Sequence, residues 1–577
     1  MKTRLICDTK VFSSSPQGFL SLRKTESENE RVMNFKEFET EQKLRGGYYT
    51  PLDLALFIAK WISAICPKAI LEPSCGDGIF FEALAKIRSA KRATMTGFEF
   101  NDAEAEKATA RVRNLKIESA EIRQGDFLDW ALKHLKNPEV QFDAVVGNPP
   151  FIRYQFLPEL FQIRAEMIFR ELGLPFTKHT NAWVPFILAS VAMLRPGGRI
   201  AMVVPSEVIH IPHAQSLRSY LGRECSKIVL IDPEELWFDN TLQGAVILLA
   251  EKKAKQSDIT DGLGIYPVKG RDFLNTSPDI IFAAPHPING KTVQGKWTRA
   301  LLNDRQRALF DEFEAHQSVF KFKDVAKVDV GIVTGANKFF HVSDETVKTF
   351  GLEKYAHPMF GRSEHCPGII YDLGQHNLNA TKGTPTNFLW FDESAVSDDA
   401  ALAYIEGGEG QSLHTRFKCR MRSPWYTVPS VYATEIGLLK RAHHVPRLIL
   451  NRMNAYTTDT AYRIRTDKVS AENLVGCFIN PLTALSAELE GRHYGGGVLE
   501  LVPSEIERLL LPLPKKFKAD LKTLDADIRT LHADVVLERH GRTVLGGLGF
   551  SKADIDELLG AWDGLRNRRQ RLSDTAA

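Results

Sequence analysis

Seven short candidate strands alternate with helical stretches between about residues 45 and 255, and this alternation constrains the fold more than any other feature of the chain. These strands fall at 69–71, 94–98, 121–123, 144–146, 199–204, 227–231 and 245–249, with helical segments such as 52–65 and 183–194 between most of them. Strands interleaved with helices predict an α/β fold, a Rossmann-like, doubly wound and mostly parallel sheet. The last two strands lie close together in sequence, so one reversed strand is expected near the sheet edge.

At 577 residues the chain is long enough for more than one domain, at ~100–200 residues each. Residues 1–34 are polar and read as a disordered extension, within which Met33 offers an alternative start. The sheet-forming region is expected over 35–255, followed by a polar linker at 252–258. Residues 260–514 mix short strands, Gly/Pro turns and aromatics, which suits an α+β domain. Residues 515–577 carry periodic Leu and Ile among dense charge and read as a helical tail. The net charge is only +3, so any nucleic-acid face must come from local clustering. The seven cysteines form no CxxC pair, which argues against a zinc site or a disulfide framework and fits a reducing cytoplasm. No apolar stretch reaches the ~20 residues of a membrane span.

Chemistry concentrates at the ends of the predicted strands. Asn148-Pro149-Pro150-Phe151 follows a buried run, and its two prolines stop the ladder and stiffen the backbone. An amide side chain, a rigid carbonyl and an aromatic ring are what a planar amine needs to be held: two acceptors and a stacking face. The turn after the first strand, Glu72-Pro73-Ser74-Cys75-Gly76-Asp77-Gly78, opens a helix at 79–87. It lacks the full G-x-G-x-x-G of a dinucleotide site, and its acids would repel a pyrophosphate. They suit a ligand with ammonium and sulfonium charge, such as S-adenosylmethionine. Glu99 ends the second strand, 21 residues after Gly78, where an acid can take both ribose hydroxyls. Asp126 and Phe127 follow the third, an acceptor for the adenine amino group and a ring to pack on it.

In this order, Tyr48-Tyr49-Thr50-Pro51, the 71–78 turn, Glu99, Gly125-Asp126-Phe127 and Asn148-Pro149-Pro150-Phe151 resemble the motifs of DNA amino-methyltransferases. Thr180-Asn181-Ala182-Trp183, 194–199 and Val204-Pro205-Ser206-Glu207 extend the likeness, which covers roughly 45–514. Cofactor motifs first, catalytic motif next and variable domain last resemble the gamma class, and within it the TaqI/PstI-like adenine-N6 modification enzymes of type II restriction–modification systems. The resemblance implies a class I S-adenosylmethionine-dependent methyltransferase domain, a DNA-recognition domain over 260–514, and N6 methylation of a flipped adenine in double-stranded DNA. It implies S-adenosylmethionine contacts from Tyr49, Thr50, Glu72, Pro73, Gly76, Asp77, Gly78, Glu99, Asp126 and Phe127. It assigns the catalytic turn to Asn148, Pro149, Pro150 and Phe151, with Phe151 and Phe238 stacking on the target base. No metal is implied, and a cognate endonuclease would be functionally linked without necessarily being bound.

Residues 415–466 hold ten Lys/Arg against Glu435 and Asp459, a net +8, with aromatics interleaved. From this segment Arg422, Trp425, Tyr426, Arg447, Arg452 and Arg463 are expected to bind DNA, through phosphates, guanine edges or bases. Glycines in 331–338 and 491–501 indicate tight backbone approach, either to DNA or to another loop. The tail cations Arg566, Arg568, Arg569 and Arg571 read as a solvated helix end more readily than as a phosphate contact. Rival readings of the Asn-Pro-Pro-Phe element are cytosine-N4 methylation of DNA, methylation of a protein glutamine or an RNA amine, and an idle DNA-binding subunit. A fused nuclease is not expected, because Pro278-Asp279 has no fitting partner.

Overall fold

The computed structural model describes residues 49–570 except 236, 238–243, 290–294 and 495. The polar extension, Met33, Tyr48, Phe238 and Arg571 lie outside the described residues.

Eight strands form the first sheet: β1 (Ala69–Glu72), β2 (Thr94–Glu99), β3 (Ala120–Gln124), β4 (Phe142–Gly147), β5 (Leu194–Pro205), β6 (Cys225–Pro233), β7 (Ala245–Lys252) and β8 (Gly262–Val268). Their order is β3-β2-β1-β4-β5-β7-β6-β8. β7 is the reversed strand, antiparallel to both neighbours, with Leu248 opposite Met202 on one side and Leu230 on the other. It is inserted between β5 and β6 rather than placed at the edge.

Helices cover both faces because successive residues of each strand point to opposite sides. Ile200, Met202 and Val204 pack with Trp183, Ile187 and Leu217 in one core, while Ala201 and Val203 pack with Leu54, Phe57 and Trp61 in the other. The helix α1 (Leu52–Ser63) brings Leu54, Phe57, Ile58 and Trp61 onto the second face. Each such fully buried side chain contributes about 1.5–3 kcal/mol.

The sheet runs past the boundary expected at residue 255. β8 pairs in parallel with β6, Leu263 opposite Ile228, and the segment after it packs on α1 through Phe57–Phe273 and Trp61–Phe282 ring contacts. Gly262, Gly264 and Pro267 give this strand the composition of a loop, which hid it from the apolar pattern.

Beyond it lies an α+β region. Its five-stranded sheet runs Lys327–Val330, Ala461–Arg465, Ile436–Leu439, Leu448–Asn451 and Ile370–Tyr371 in order. The tail forms the helices Leu521–Thr530, Ala533–Gly546 and Lys552–Gln570. Leu537, Leu545, Leu558 and Trp562 of the tail share one core with Ile436, Leu450 and Leu485, so the tail is built into this domain.

The tail arginines overturn the expectation of a solvated end. Arg569 is fully buried and pairs with the fully buried Glu488 at 2.7 Å. Arg568 donates to Asp232 at the end of β6 (Nη2–Oδ1 2.8 Å), which bolts the tail to the eight-stranded sheet. Arg566 pairs with Asp563 on its own helix. The dense charge reads as solvent-facing in sequence because the acids that neutralise it, Asp232 and Glu488, are hundreds or tens of residues away.

Candidate active site at the strand ends

The expected acids gather at the carboxyl ends of β1 and β2. Cys75 N donates to the Phe98 carbonyl at 2.8 Å, which ties the turn after β1 to β2. Glu99 accepts from Gly76 N (2.9 Å) and from Asn101 N (2.8 Å), so its carboxylate is held at the strand end by the next turn and by its own. Gly78 caps the following helix at φ +83°, and a Cβ there would lie 3.1 Å from Ala108 Cα, so glycine suits both the turn and the close approach.

Glu72 is 3% exposed, and its Oε2 has no hydrogen-bond partner among the described residues. Burial pushes its carboxyl well above the ordinary range, and the neighbouring Asp77 and Glu99 push it further, against Arg111. A buried, crowded carboxylate with an unmet oxygen fits a cationic ligand. Asp77 is 2.6 Å from Arg111, which also holds Glu82 at 3.0 Å. The Tyr49 hydroxyl donates to Glu104 at 2.9 Å on the helix after β2.

Asn148 joins the Asn-Pro-Pro-Phe turn to this cluster of acids. Its Nδ2 donates to Thr50 Oγ1 (3.2 Å), and its carbonyl accepts from Ser74 Oγ (3.2 Å) in the turn after β1. Pro149 is buried, Pro150 half-buried, and Phe151 packs partly against both cores. Past Phe151 the backbone is braced again, with Ala182 N donating to the Ile152 carbonyl at 2.9 Å. Asn181 in turn donates to Glu207 at 2.9 Å. Burial raises the Glu207 carboxyl.

Two expected adenine contacts are otherwise engaged. Phe127 is 2% exposed, with its ring 5.5 Å from those of Phe98 and Phe186, so it belongs to the core rather than to a ligand face. Asp126 caps the helix Phe127–His134 by accepting from Leu128 N (2.8 Å) and pairs with Arg164 at 2.7 Å. The open aromatic at this end is Phe100, 72% exposed directly after Glu99. Its signal in the sequence was an aromatic next to a strand-end acid. Ser74 was also missed, since a lone serine in a turn carries no pattern.

Most of the residues expected to bind DNA are occupied internally. Arg422 donates to the carbonyls of Thr334 (2.8 Å) and Val333 (2.6 Å). Arg463 is buried, donates to Ser430 O and Val330 O (2.6 Å each) and stacks 3.6 Å from the Tyr432 ring. Arg447 donates to the Pro367 and Cys366 carbonyls. Trp425 and Tyr426 sit in an aromatic core with Phe339, where Trp425 Nε1 donates to Glu409 at 2.9 Å. These five are corrected to internal braces, because the arginines satisfy carbonyls of the chain and the two aromatic rings are packed in a core. Arg452 remains exposed beside Glu472, at 2.8 Å. The glycine stretches meet other parts of the chain. Gly335 has φ +80°, and a Cβ there would lie 2.7 Å from Lys418 Cβ. Gly497 abuts Gln570 of the tail.

Residues 32–266 match the family model described as N-6 DNA Methylase. This segment is similar to that family of DNA methylases. Residues 294–545 match the C-terminal domain of type II methyltransferase M.Eco57I. The chain is 24% identical to type II methyltransferase M.AccI of Acinetobacter calcoaceticus, over 80% of this chain and 84% of that one. It is 21% identical to M.XamI of Xanthomonas campestris pv. amaranthicola, over 81% and 85%. With M.TthHB8I of Thermus thermophilus it shares 27% over 51% of this chain and 65% of the relative. The methyl donor of this DNA methyltransferase is S-adenosylmethionine, which the carboxylate-lined pocket suits. Among the described residues no helix is long and apolar enough to cross a membrane.

Proposed function

We propose that this chain methylates N6 of an adenine flipped out of double-stranded DNA, as the protective partner of a separate endonuclease in a type II restriction–modification system. The observation that supports it most is the tie of Asn148 to both Thr50 and Ser74, which holds the amine-binding turn against the cofactor turn. The names of the relatives, type II methyltransferases, agree with the restriction–modification setting.

S-adenosylmethionine supplies an activated methyl group on a sulfonium, with a thioether as the leaving group. Glu72, Asp77 and Glu99 would attract and orient its positive end and its ribose. Phe100 would offer its exposed ring to the cofactor adenine in place of Phe127. Adenine N6 is a poor nucleophile because its lone pair is delocalised into the ring. Asn148 Oδ1 and the Pro149 carbonyl would accept its two hydrogens, favour a tetrahedral nitrogen and return the lone pair. Positioning of this kind supplies ~7–11 kcal/mol of a barrier. The amine is out of reach inside a duplex, so the base must leave the stack. Stacking on Phe151 would return ~1–3 kcal/mol of that cost.

The test is mass spectrometry of nucleosides from the DNA of a methylation-deficient host expressing the chain. N6-methyladenine is expected, and it should vanish with Asn148→Ala while S-adenosylmethionine still binds. N4-methylcytosine instead would keep the site and change the base. An Asn148→Ala chain with near-parental turnover would remove Asn148 from catalysis.

A further inference from the structure

Between residues 411 and 430 the chain carries Arg416, Lys418, Arg420 and Arg422 and no acidic residue. Arg422 is spent on Thr334 and Val333, but the other three are exposed. They lie on one tight helical turn, closed by Arg420 N donating to the Arg416 carbonyl at 2.9 Å. Four residues apart on that turn, and so on one face of it, are Phe417 (62% exposed) and Met421 (72% exposed). The Phe417 ring has Lys418 Nζ 5.7 Å and Arg420 Cζ 5.4 Å from its centroid.

The turn is anchored from below. Cys419 is buried, with its Sγ 3.8 Å from the Thr334 carbonyl. Arg422 bonds the same loop, and Gly335 packs beneath Lys418. The nearest acid upstream, Glu409, accepts from Trp425 Nε1. A firmly anchored turn that points two large apolar side chains outward and rims them with cations is costly in water unless something covers it.

We propose that the 416–421 turn is a contact point for the DNA duplex, with Arg416, Lys418 and Arg420 on phosphates and Phe417 and Met421 pressed against sugars and bases as a wedge. This rests on the reading that the chain binds duplex DNA, and adds which surface touches it. Charge complementarity selects the partner: three exposed cations with no ion pair among the described residues match a polyanion, and apolar wedges rimmed by cations suit a duplex that is bent or locally unstacked. It also replaces the buried Trp425 and Tyr426 as the aromatic part of the DNA surface.

Two variants of the full chain separate the parts. Arg416→Gln/Lys418→Gln/Arg420→Gln should lower the salt slope of binding to a short duplex by about 2–3, at ~0.9 per phosphate contact. Phe417→Ser/Met421→Ser should weaken binding about tenfold at fixed salt while the slope stays as in the parent. Both should melt like the parent and keep its affinity for S-adenosylmethionine, because the exchanged side chains are exposed. An unchanged slope in the triple variant, or parental affinity in the double, overturns the proposal. A parent that neither binds nor methylates duplex DNA sinks the DNA reading itself, a different result from variants that behave like an active parent.

Discussion

The strand ends of the catalytic sheet and the basic segment of the C-terminal domain are both dense in charge, but the fold treats the two sets of charges in opposite ways. At the strand ends three carboxylates are crowded together, and the most buried one, Glu72, keeps an oxygen without a partner. In the C-terminal domain Arg422, Arg447 and Arg463 spend their donors on loop carbonyls, and Arg569 spends its own on Glu488. A guanidinium committed to the chain's own carbonyls holds loops together. A buried carboxylate left short of partners is a place kept for a ligand. Charge density alone does not separate the two cases; commitment to the chain's own carbonyls does, since Arg463 keeps one buried nitrogen without a partner among the described residues and still holds two carbonyls.

Arg569 gives the largest expected effect. Arg569→Met leaves Glu488 buried with only the His493 imidazole against it, and losing one member of a buried pair costs about 3–5 kcal/mol. Urea unfolding should show it, and Arg569→Met/Glu488→Leu should recover most of the loss. If the single change were nearly neutral, this arginine would not be structural and the contrast would fail.

Next comes Glu72, where the expected sign is the opposite. Its carboxyl is raised by burial first and then by Asp77 and Glu99. It therefore removes stability from the cofactor-free protein as pH climbs from the ordinary carboxylate range through its raised value. A sulfonium–ammonium ligand favours the ionised form, so cofactor affinity should rise with pH across that window and binding should release a proton. Calorimetry in two buffers of different ionisation enthalpy measures that proton. Glu72→Gln should abolish the release and weaken binding ~100-fold, about 2.7 kcal/mol. A pH-independent affinity with no proton released would mean that the unmet oxygen is not used.

What the sequence made legible follows the same division. Most of the strands β1 to β7 show because they are buried apolar runs, β3 (Ala-Glu-Ile-Arg-Gln) being the half-buried exception, and the acids at their ends show because they interrupt such runs. β8 does not show, since Gly262, Gly264 and Pro267 break its pattern and its place depends on β6, which lies some thirty residues earlier. Phe127 follows a strand-end acid as a ligand-facing ring would, yet packing against Phe98 and Phe186 takes it into the core. The six expected DNA residues were chosen by type and clustering. Neither reveals that Val330, Val333, Thr334 and Ser430 would present carbonyls to them, because those partners come from loops distant in sequence.

Arg422→Ala and the 416–421 turn sharpen the contrast within one short stretch. Arg422 is half-buried, so water can reach part of what it leaves, and the loss should be about 1–2 kcal/mol of stability. The salt slope of DNA binding should not move. A slope that fell as far as with Arg420→Gln would make Arg422 a DNA contact that happens to rest on a loop in the free protein.

Arg452 should give the smallest effect and is the most diagnostic of the six. Its partner Glu472 has a carboxyl lowered by a backbone hydrogen bond and then by Arg452, but both side chains are close to half exposed. Exposed pairs of this kind contribute ~0–1 kcal/mol, so Arg452→Ala should leave the unfolding midpoint almost where it was. That small stake is what makes the residue available. A guanidinium held only by an exposed carboxylate can exchange it for a phosphate at little cost, whereas Arg463 would have to abandon two backbone carbonyls and the Tyr432 ring. Arg452→Ala should therefore lower the salt slope by up to ~0.9 with stability unchanged, and Arg463→Ala should lower stability with the slope unchanged. Measuring both quantities on both variants tests commitment to backbone carbonyls as the property that separates brace from contact; a slope change for Arg463 without a stability change would reverse it.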